Sequence, residues 1–262
     1  MIMNNTSTHI RGMEDLLEDV QNHKYTAAIF DIDGTLIDSM PIWEDLDAEF
    51  LKTQGIELSE QEKHELNDTM WTMTVDEGVK YLRETFHLSL TEDGISKALA
   101  DIIEHFYVCE VPAKPGMPEL VKALHDAGIP MALATVGEPS YETAALKRLG
   151  LFDHFDAMCD CNSLGTTKRE AFVYETAARL LLGSESGGEP AAASEPAGAS
   201  EPAGESGPAE SNAAVLVVED VLHALIAAKK AGFTTVAVED DASAKDKPRI
   251  LEVSDFYIKK DQ

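Results

Sequence analysis

The hydrophobic positions of this chain form two patterns that alternate along most of its length. Short runs that are apolar at every position predict strands buried on both faces of a sheet. Apolar residues every three or four positions predict amphipathic helices between these runs. Strands are predicted at residues 26–31, 130–135, 155–159, 215–218 and 234–238, with a shorter one at 256–258, and helices at 115–128, 141–149, 167–182 and 222–231. This alternation predicts an α/β fold, a parallel sheet core with helices on both faces.

Residues 40–111 interrupt the alternation with one helical pattern after another. The first helix starts near Pro41, which suits a first helical turn, and places Ile42, Leu46 and Phe50 on one apolar face. Further helices are predicted at residues 60–67, 75–86 and 94–107. An all-helical block inserted directly after the first strand predicts a small separate lid, an inserted all-helical cap domain.

Two segments do not fit the α/β pattern. Residues 1–24 are polar apart from a helical pattern at 12–22, so we expect an N-terminal extension with one short helix. Residues 183–212 contain almost only Gly, Ser, Glu, Pro and Ala. This composition buries too little apolar surface to offset the entropy of ordering, so we expect a disordered insert within the core. An inert insertion is the favoured interpretation, and recruitment of a partner is the alternative.

The charge and the cysteine content restrict the partners and the location. The chain has 262 residues and a net charge of −27, and such a surface repels nucleic acid and anionic membranes. Its three cysteines do not form a disulfide framework, and no apolar run approaches a membrane span or a secretory leader. We therefore expect a cytoplasmic monomer of one or two domains that acts on a small molecule.

Residues that can bind ligands or take part in a reaction follow the carboxyl ends of the predicted strands or lie at the start of a nearby helix. They are Asp31 and Asp33, Thr135, which the apolar Val136 follows, Lys168, and Glu219 with Asp220. Because the carboxyl ends of parallel strands share one edge of the sheet, these groups should converge. Several carboxylates form a hard-oxygen site that suits Mg²⁺, and a lysine and a hydroxyl beside them can hold phosphoryl oxygens. The set predicts phosphoryl transfer.

Each of these residues also has a simple structural interpretation. Thr135 alone is typical of a strand end, and Lys168 alone is typical of a solvated helix start. The acid pair Glu219 and Asp220 alone would suit a helix N-terminus, where the dipole favours negative charge. Only their joint order along the chain favours a functional site.

Two sequence motifs resemble those of a known family. The stretches FDIDGTLIDS and VVEDVLHALIAAKKAGF, with Thr135 and Lys168 between them, resemble the haloacid dehalogenase-like hydrolase superfamily. The helical block after the first motif resembles the C1-type cap of its beta-phosphoglucomutase-like phosphatase branch. The resemblance implies a Rossmann-like core at residues 25–39 and 112–262 and a cap at 40–111.

The resemblance also implies a role for each residue of the set. Asp31 would be the nucleophile that forms an aspartyl-phosphate, and Asp33 the general acid and then the base. Thr135, Val136 and Lys168 would hold the phosphoryl group. The Mg²⁺ ligands would be Asp31, the Asp33 carbonyl and Asp220, with Glu219 as a further ligand or as a group behind them. The reaction would then be hydrolysis of a small phosphorylated metabolite.

The chain departs from the branch at several positions. Gly137 stands where Asn or Ser is common, and Arg169 stands where Pro commonly follows the lysine. Sugar phosphomutases of the branch carry histidine at the position of Trp43, so Trp43 favours a phosphatase over a mutase. Trp43, Met40 and Trp71 are candidates for a substrate-specificity pocket in the cap, and cap packing is the alternative for the two tryptophans.

Three other functions are alternatives to a phosphatase. A sugar phosphomutase stays open and differs in releasing an isomer rather than phosphate. A phospho-acceptor receiver domain is disfavoured because receivers place the acid pair before the accepting aspartate, whereas Glu219 and Asp220 come last. A catalytically silent interaction protein is disfavoured by the retained Asp31, Asp33 and Lys168.

Overall fold

The computed structural model describes residues 10–183 and 212–260. These residues divide into two compact units: one lies within Met1–Asp38 and Pro112–Gln262, and the other is Ser39–Val111. The predicted disordered insert lies outside the described residues except at its two ends, as do residues 1–9 of the predicted extension.

The first unit is built on a six-stranded parallel sheet with the strand order β3-β2-β1-β4-β5-β6. The strands are β1 Ala27–Phe30, β2 Met131–Thr135, β3 Ala157–Asp160, β4 Val215–Glu219, β5 Thr234–Val238 and β6 Phe256–Ile258. Strand β1 is buried along its whole length and pairs with β2 on one side and β4 on the other. The strands are therefore added outward from β1 on one side and, after β3, from β4 on the other side. In such sheets ligands bind at the carboxyl ends of the strands where the order changes direction. The predicted α/β class with a parallel sheet is confirmed.

The segment before β1 packs onto this sheet. Helix α1 (Met13–Gln21) lies against β6 and buries Leu16 and Val20 completely. Just before the helix, Arg11 forms a parallel bridge with Phe256, and the Arg11 carbonyl accepts a hydrogen bond of 2.9 Å from the Tyr257 N–H. The predicted short helix of the N-terminal extension is thus present, and it is packed against the edge of the core.

The second unit is entirely helical over its described length. Its helices are α2 Met40–Thr53, α3 Glu60–Met70, α4 Val75–Thr85 and α5 Glu92–His105, followed by a π-helical turn at Phe106–Glu110. Ser59 and Thr74 begin α3 and α4 with capping boxes, in which each hydroxyl accepts from a backbone N–H three residues on. Phe50 of α2 and Leu82 of α4 lie in the small core of this unit.

The remaining helices flank the sheet of the first unit. They are α6 Met117–Asp126, α7 Pro139–Arg148, α8 Cys161–Leu164, α9 Phe172–Leu182, α10 Leu222–Lys230 and α11 Lys247–Val253, with 3-10 turns at Phe152–His154 and Asp241–Asp246. The helix predicted at 167–182 begins instead at Phe172, because a turn carries the chain from α8 past Lys168. Along residues 10–183 and 212–260, no helix combines the length and the apolar content needed to cross a bilayer.

Candidate active site

The loop after β1 brings the first acidic residues to the carboxyl edge of the sheet. The Asp31 N–H donates to the Val218 carbonyl of β4 at 3.0 Å, which keeps the two strand ends together. Gly34 follows with φ +77°, a conformation that L-residues rarely adopt. A Cβ on Gly34 would lie 2.8 Å from the Asp220 carboxylate, so glycine is required here both by the turn and by the close approach of that acid.

Three buried carboxyl groups meet beside this loop. Each of Asp31, Glu219 and Asp220 offers an oxygen atom, and these atoms all lie within 4.8 Å of one another. The Thr35 hydroxyl donates to the Asp220 carboxylate at 3.1 Å. Burial, reinforced by the charge of Glu219, raises the pKa of Asp31 to about 7. Burial and the charges of Asp31 and Glu219 likewise hold the pKa of Asp220 well above its usual range.

Lys168 supplies the positive charge of the site. Its side chain is only 4% exposed, and its amine forms ion pairs with Asp31 and, at 2.8 Å, with Glu219. Burial by itself would lower the pKa of Lys168, but the charges of the two carboxylates outweigh burial and keep the pKa above its ordinary value. The amine is therefore charged and fixed against Asp31 at neutral pH.

Tyr174 anchors this ion-pair group from helix α9. Its hydroxyl donates to the same Glu219 oxygen at 2.8 Å, while the other Glu219 oxygen is buried without a hydrogen-bond partner among the described residues. Tyr174 falls within the helix predicted at 167–182, but the sequence pattern gives no sign of this polar contact. A buried tyrosine on an apolar helix face is a usable signal, because its hydroxyl needs a partner.

The carboxyl group of Glu142 is a part of the site that the sequence did not predict. Glu142 lies on α7 and is fully buried. It accepts a hydrogen bond from the Thr135 hydroxyl, and the Gly137 N–H donates to the Thr135 oxygen at 2.9 Å. Burial, and beyond it the neighbouring Asp33 carboxylate, raises the pKa of Glu142 to about 9. The sequence signal for a buried Glu142 is its position on the same helix face as the apolar residues Ala145 and Leu146.

Gly137 makes room for this carboxyl. Its φ is not in the left-handed region, so the backbone conformation does not require glycine. A Cβ at this position would lie 2.2 Å from a Glu142 oxygen and 2.7 Å from an Asp33 oxygen. Glycine at residue 137, where the family branch commonly has Asn or Ser, therefore leaves the space that the Glu142 carboxyl occupies.

The structure brings together most of the predicted site residues of the first unit. Asp31, Lys168, Glu219 and Asp220 are in mutual contact or close approach, and Thr135 reaches the Asp33 carboxyl through Glu142. The Val136 side chain is 53% exposed, and its carbonyl accepts from the Asn162 amide at 3.2 Å.

A groove of about 270 Å³ lies within the helical unit. Trp43 and Trp71, two of the three predicted cap residues, line it, and Met40 is not among its lining residues. Trp71 is 71% exposed and Val75 is 79% exposed, so the groove opens to solvent through large apolar side chains. Burial raises the pKa of Asp47, which also lines the groove, to about 6.

The acidic group fits a divalent cation. Three hard oxygen donors within 4.8 Å form a ligand set of the kind that Mg²⁺ takes. Burial first, and the neighbouring carboxylates after it, raise the pKa values of Asp31 and Asp220, and a cation would relieve both effects. One Glu219 oxygen is buried and has no hydrogen-bond partner among residues 10–183 and 212–260, so it is available as a further ligand atom.

The fold and the site define an α/β protein with a Rossmann-like sheet and an acidic, lysine-paired centre at its carboxyl edge. A family profile described as haloacid dehalogenase-like hydrolase matches residues 25–232. The chain belongs to this family, so the resemblance and the expectation of an enzyme are both confirmed.

Individual relatives agree with this assignment. Hexitol phosphatase B of Escherichia coli (strain K12) is 30% identical over 158 residues, which cover 59% of this chain and 69% of that protein. Phosphoglycolate phosphatase of Rhodobacter capsulatus is 28% identical over 162 residues, which cover 59% and 70%. The crystal structure of a candidate beta-phosphoglucomutase from Thermotoga maritima is similar with a TM-score of 0.66 at 21% identity, covering 88% of this chain and 93% of that one.

Proposed function

We propose that this protein is a Mg²⁺-dependent phosphatase that hydrolyses a small phosphorylated metabolite through an aspartyl-phosphate. The observation that carries the proposal is the buried Asp31 carboxyl, paired with the Lys168 amine and close to two further carboxyl groups. An aspartate in this setting is held in one orientation and is shielded from bulk water. The phosphatase names of the relatives in Escherichia coli and Rhodobacter capsulatus support the same class of reaction.

In the first step, an Asp31 oxygen attacks phosphorus and the bond from phosphorus to the substrate oxygen breaks. Asp33 gives its proton to the departing alkoxide, because an alcohol is a poor leaving group without one. In the second step, water attacks the phosphorus of the aspartyl-phosphate and Asp33 takes a proton from that water. The bond from phosphorus to the Asp31 oxygen breaks, which frees inorganic phosphate and restores the Asp31 carboxylate. The same carboxyl therefore acts as an acid and then as a base.

Lys168, Thr135 and the backbone at Val136 hold the phosphoryl oxygens in this proposal. Mg²⁺ would be held by Asp31, the Asp33 carbonyl and Asp220, and it would neutralise charge on the phosphoryl group. Glu219 orients the Lys168 amine through their ion pair at 2.8 Å, and its second oxygen serves as a further ligand or supports the ligands.

We propose that residues 40–111 act as a substrate-selecting cap, with Trp43 and Trp71 in its groove. Met40 begins α2 and lies outside the lining of that groove, so we assign it a smaller part in selection. We propose that the protein acts in the cytoplasm as a monomer on a soluble metabolite. Its net charge of −27 disfavours nucleic acid and anionic membranes as partners.

Phosphate release from a panel of phosphorylated metabolites, measured with Mg²⁺, tests the proposal. Wild-type protein should release phosphate from a subset of the panel and from an aryl phosphate, and Asp31→Asn should abolish both while leaving the melting temperature within a few degrees. Glu119→Gln, a change at an exposed acid on α6, is the control. Retained activity in Asp31→Asn would refute the nucleophile role, and an isomeric sugar phosphate as product would favour a phosphomutase.

A further inference from the structure

The groove of the helical unit combines aromatic walls with one carboxyl group. Side chains from all four helices of the unit and from the loop after α3 line it. The lining contains both tryptophans of the chain and, among the described residues, no lysine or arginine. Its volume of about 270 Å³ suits a ligand fragment about the size of one ring.

Asp47 is the charged residue of this lining. Its carboxyl has no hydrogen-bond or ion-pair partner within the part of the chain that the structure describes, and burial alone accounts for the shift in its pKa. The polar neighbour Asn67 is already engaged, since its amide donates to the Glu44 carbonyl at 2.8 Å. Partial burial of an unpaired carboxylate costs free energy, and a cation placed beside it would offset that cost.

The surrounding side chains favour the same ligand chemistry. Tryptophan is the aromatic residue that attracts a cation most strongly over its ring face, and Trp43 and Trp71 both line the groove with Asp47. Met70 and Val79 supply apolar contact surface. A second phosphate or a carboxylate on the ligand would be repelled by the Asp47 charge, and the described residues of the lining include no lysine or arginine to balance it.

We propose that this groove binds an apolar fragment that carries a protonated amine, with Asp47 pairing with the ammonium group. The assignment of that fragment to the alcohol part of a phosphate monoester rests on the proposed phosphatase function, whereas binding in the groove does not. The substrate class is then an amine-bearing monoester with one phosphate, rather than a bisphosphate or a phosphorylated acid.

Intrinsic fluorescence measures binding in the groove directly, because the only two tryptophans in the sequence both line it. The full chain would be titrated with phenethylamine, 2-phenylethanol and 3-phenylpropionate, which share a ring and differ in charge. We expect phenethylamine to bind at least tenfold more tightly than 3-phenylpropionate. Equal binding of the two probes, or tighter binding of the carboxylate, would overturn the proposal without any variant being made.

Two variants on α2 distinguish pairing with the Asp47 carboxylate from attraction to the negative charge of the surrounding surface. Asp47→Asn should weaken phenethylamine binding about tenfold, to the level of 2-phenylethanol, and should leave 2-phenylethanol binding unchanged. Asp45→Asn, at an exposed position two residues away, should change neither. Unchanged amine binding in Asp47→Asn, or an equal loss in both variants, would contradict the pairing.

Turnover distinguishes failure of this inference from failure of the proposed function. The phosphate monoesters of 4-hydroxyphenethylamine and of 3-(4-hydroxyphenyl)propionate have similar aryl leaving groups. We expect a higher kcat/KM for the amine, with the preference lost in Asp47→Asn. Hydrolysis of both at equal kcat/KM would overturn the substrate class and keep the phosphatase. Hydrolysis of neither of these two compounds and of no member of the metabolite panel, with the binding preference intact, would overturn the phosphatase and keep the amine site.

Discussion

Gly137→Ala tests the packing of Glu142 against the loop that follows β2. The added methyl group would lie 2.2 Å from a Glu142 oxygen and 2.7 Å from an Asp33 oxygen. Glu142 is fully buried and its hydroxyl partner Thr135 is also buried, so the Glu142 carboxyl has little room to move away. Asp33 is only partly buried and can give way more easily.

The size of the effect follows from two opposing contributions. Replacing glycine by alanine in an allowed conformation stabilises by about 0.4–1 kcal/mol through the unfolded state. Overpacking a filled site destabilises by about 1–3 kcal/mol. We expect a net loss of about 1–2 kcal/mol, which corresponds to roughly 3–6 °C in melting temperature for a chain of this size. Activity should fall as well, because Asp33, the proposed proton donor, would be displaced.

Glu142→Ala provides the matched background. Without the Glu142 carboxyl, alanine at residue 137 should be neutral or stabilising by about 0.5 kcal/mol, which gives a coupling free energy of about 2 kcal/mol in the double-mutant cycle. Urea unfolding of the four proteins measures this coupling. An equal cost of Gly137→Ala in both backgrounds would refute the reasoning, since the glycine would then be required for a reason unrelated to Glu142.

Three further predictions concern the acids of the first unit. Asp33→Ala should reduce turnover of alkyl phosphates by more than a hundredfold and of activated aryl phosphates far less, and an equal loss on both would contradict the role of Asp33 as the acid. Mg²⁺ should raise the melting temperature of EDTA-treated wild-type protein but not of Asp220→Asn, and an equal rise in both would remove Asp220 from the ligands. The hydrogen bond from Arg11 lowers the pKa of Asp19 to about 2, with a further contribution from Lys24 and against the effect of burial. The Asp19 carboxylate therefore stabilises the fold above about pH 4, and this contribution is lost as the pH falls towards 2. Asp19→Asn should cost about 1 kcal/mol at pH 7, allowing for the exposed Arg11, and should flatten the loss of stability between pH 4 and 2; an unchanged acid profile would contradict this assignment.

Strand positions could be predicted from the sequence because the strands are buried on both faces. The run that contains β4, for example, is apolar until Glu219, and the observed strand ends at that residue. Parallel strands in the interior are continuous apolar runs, and their short length and flanking turn residues distinguish them from buried helices. The predicted meeting of Asp31 with Asp220 followed from strand ends, and the predicted approach of Lys168 followed from its place at the start of a nearby helix.

Features that depend on tertiary contacts could not be predicted in this way. The late start of α9 at Phe172 results from the turn that buries Lys168, and no local pattern distinguishes that turn from a helical one. Helix α8 is a single turn closed by Gly165 in the left-handed conformation, which is too short for periodicity to detect. Glu142 contradicts the apolar pattern of its helix face, and only the space left by Gly137 explains its position.

The bridge between Arg11 and Phe256 has a consequence for handling the protein. It occupies the outer hydrogen-bonding side of β6, which would otherwise offer free N–H and carbonyl groups to a second molecule. Truncation at residue 24, a tempting boundary for a shortened variant, would remove that cover together with α1. Such a variant should self-associate through the uncovered strand, and light scattering would reveal this before any loss of secondary structure.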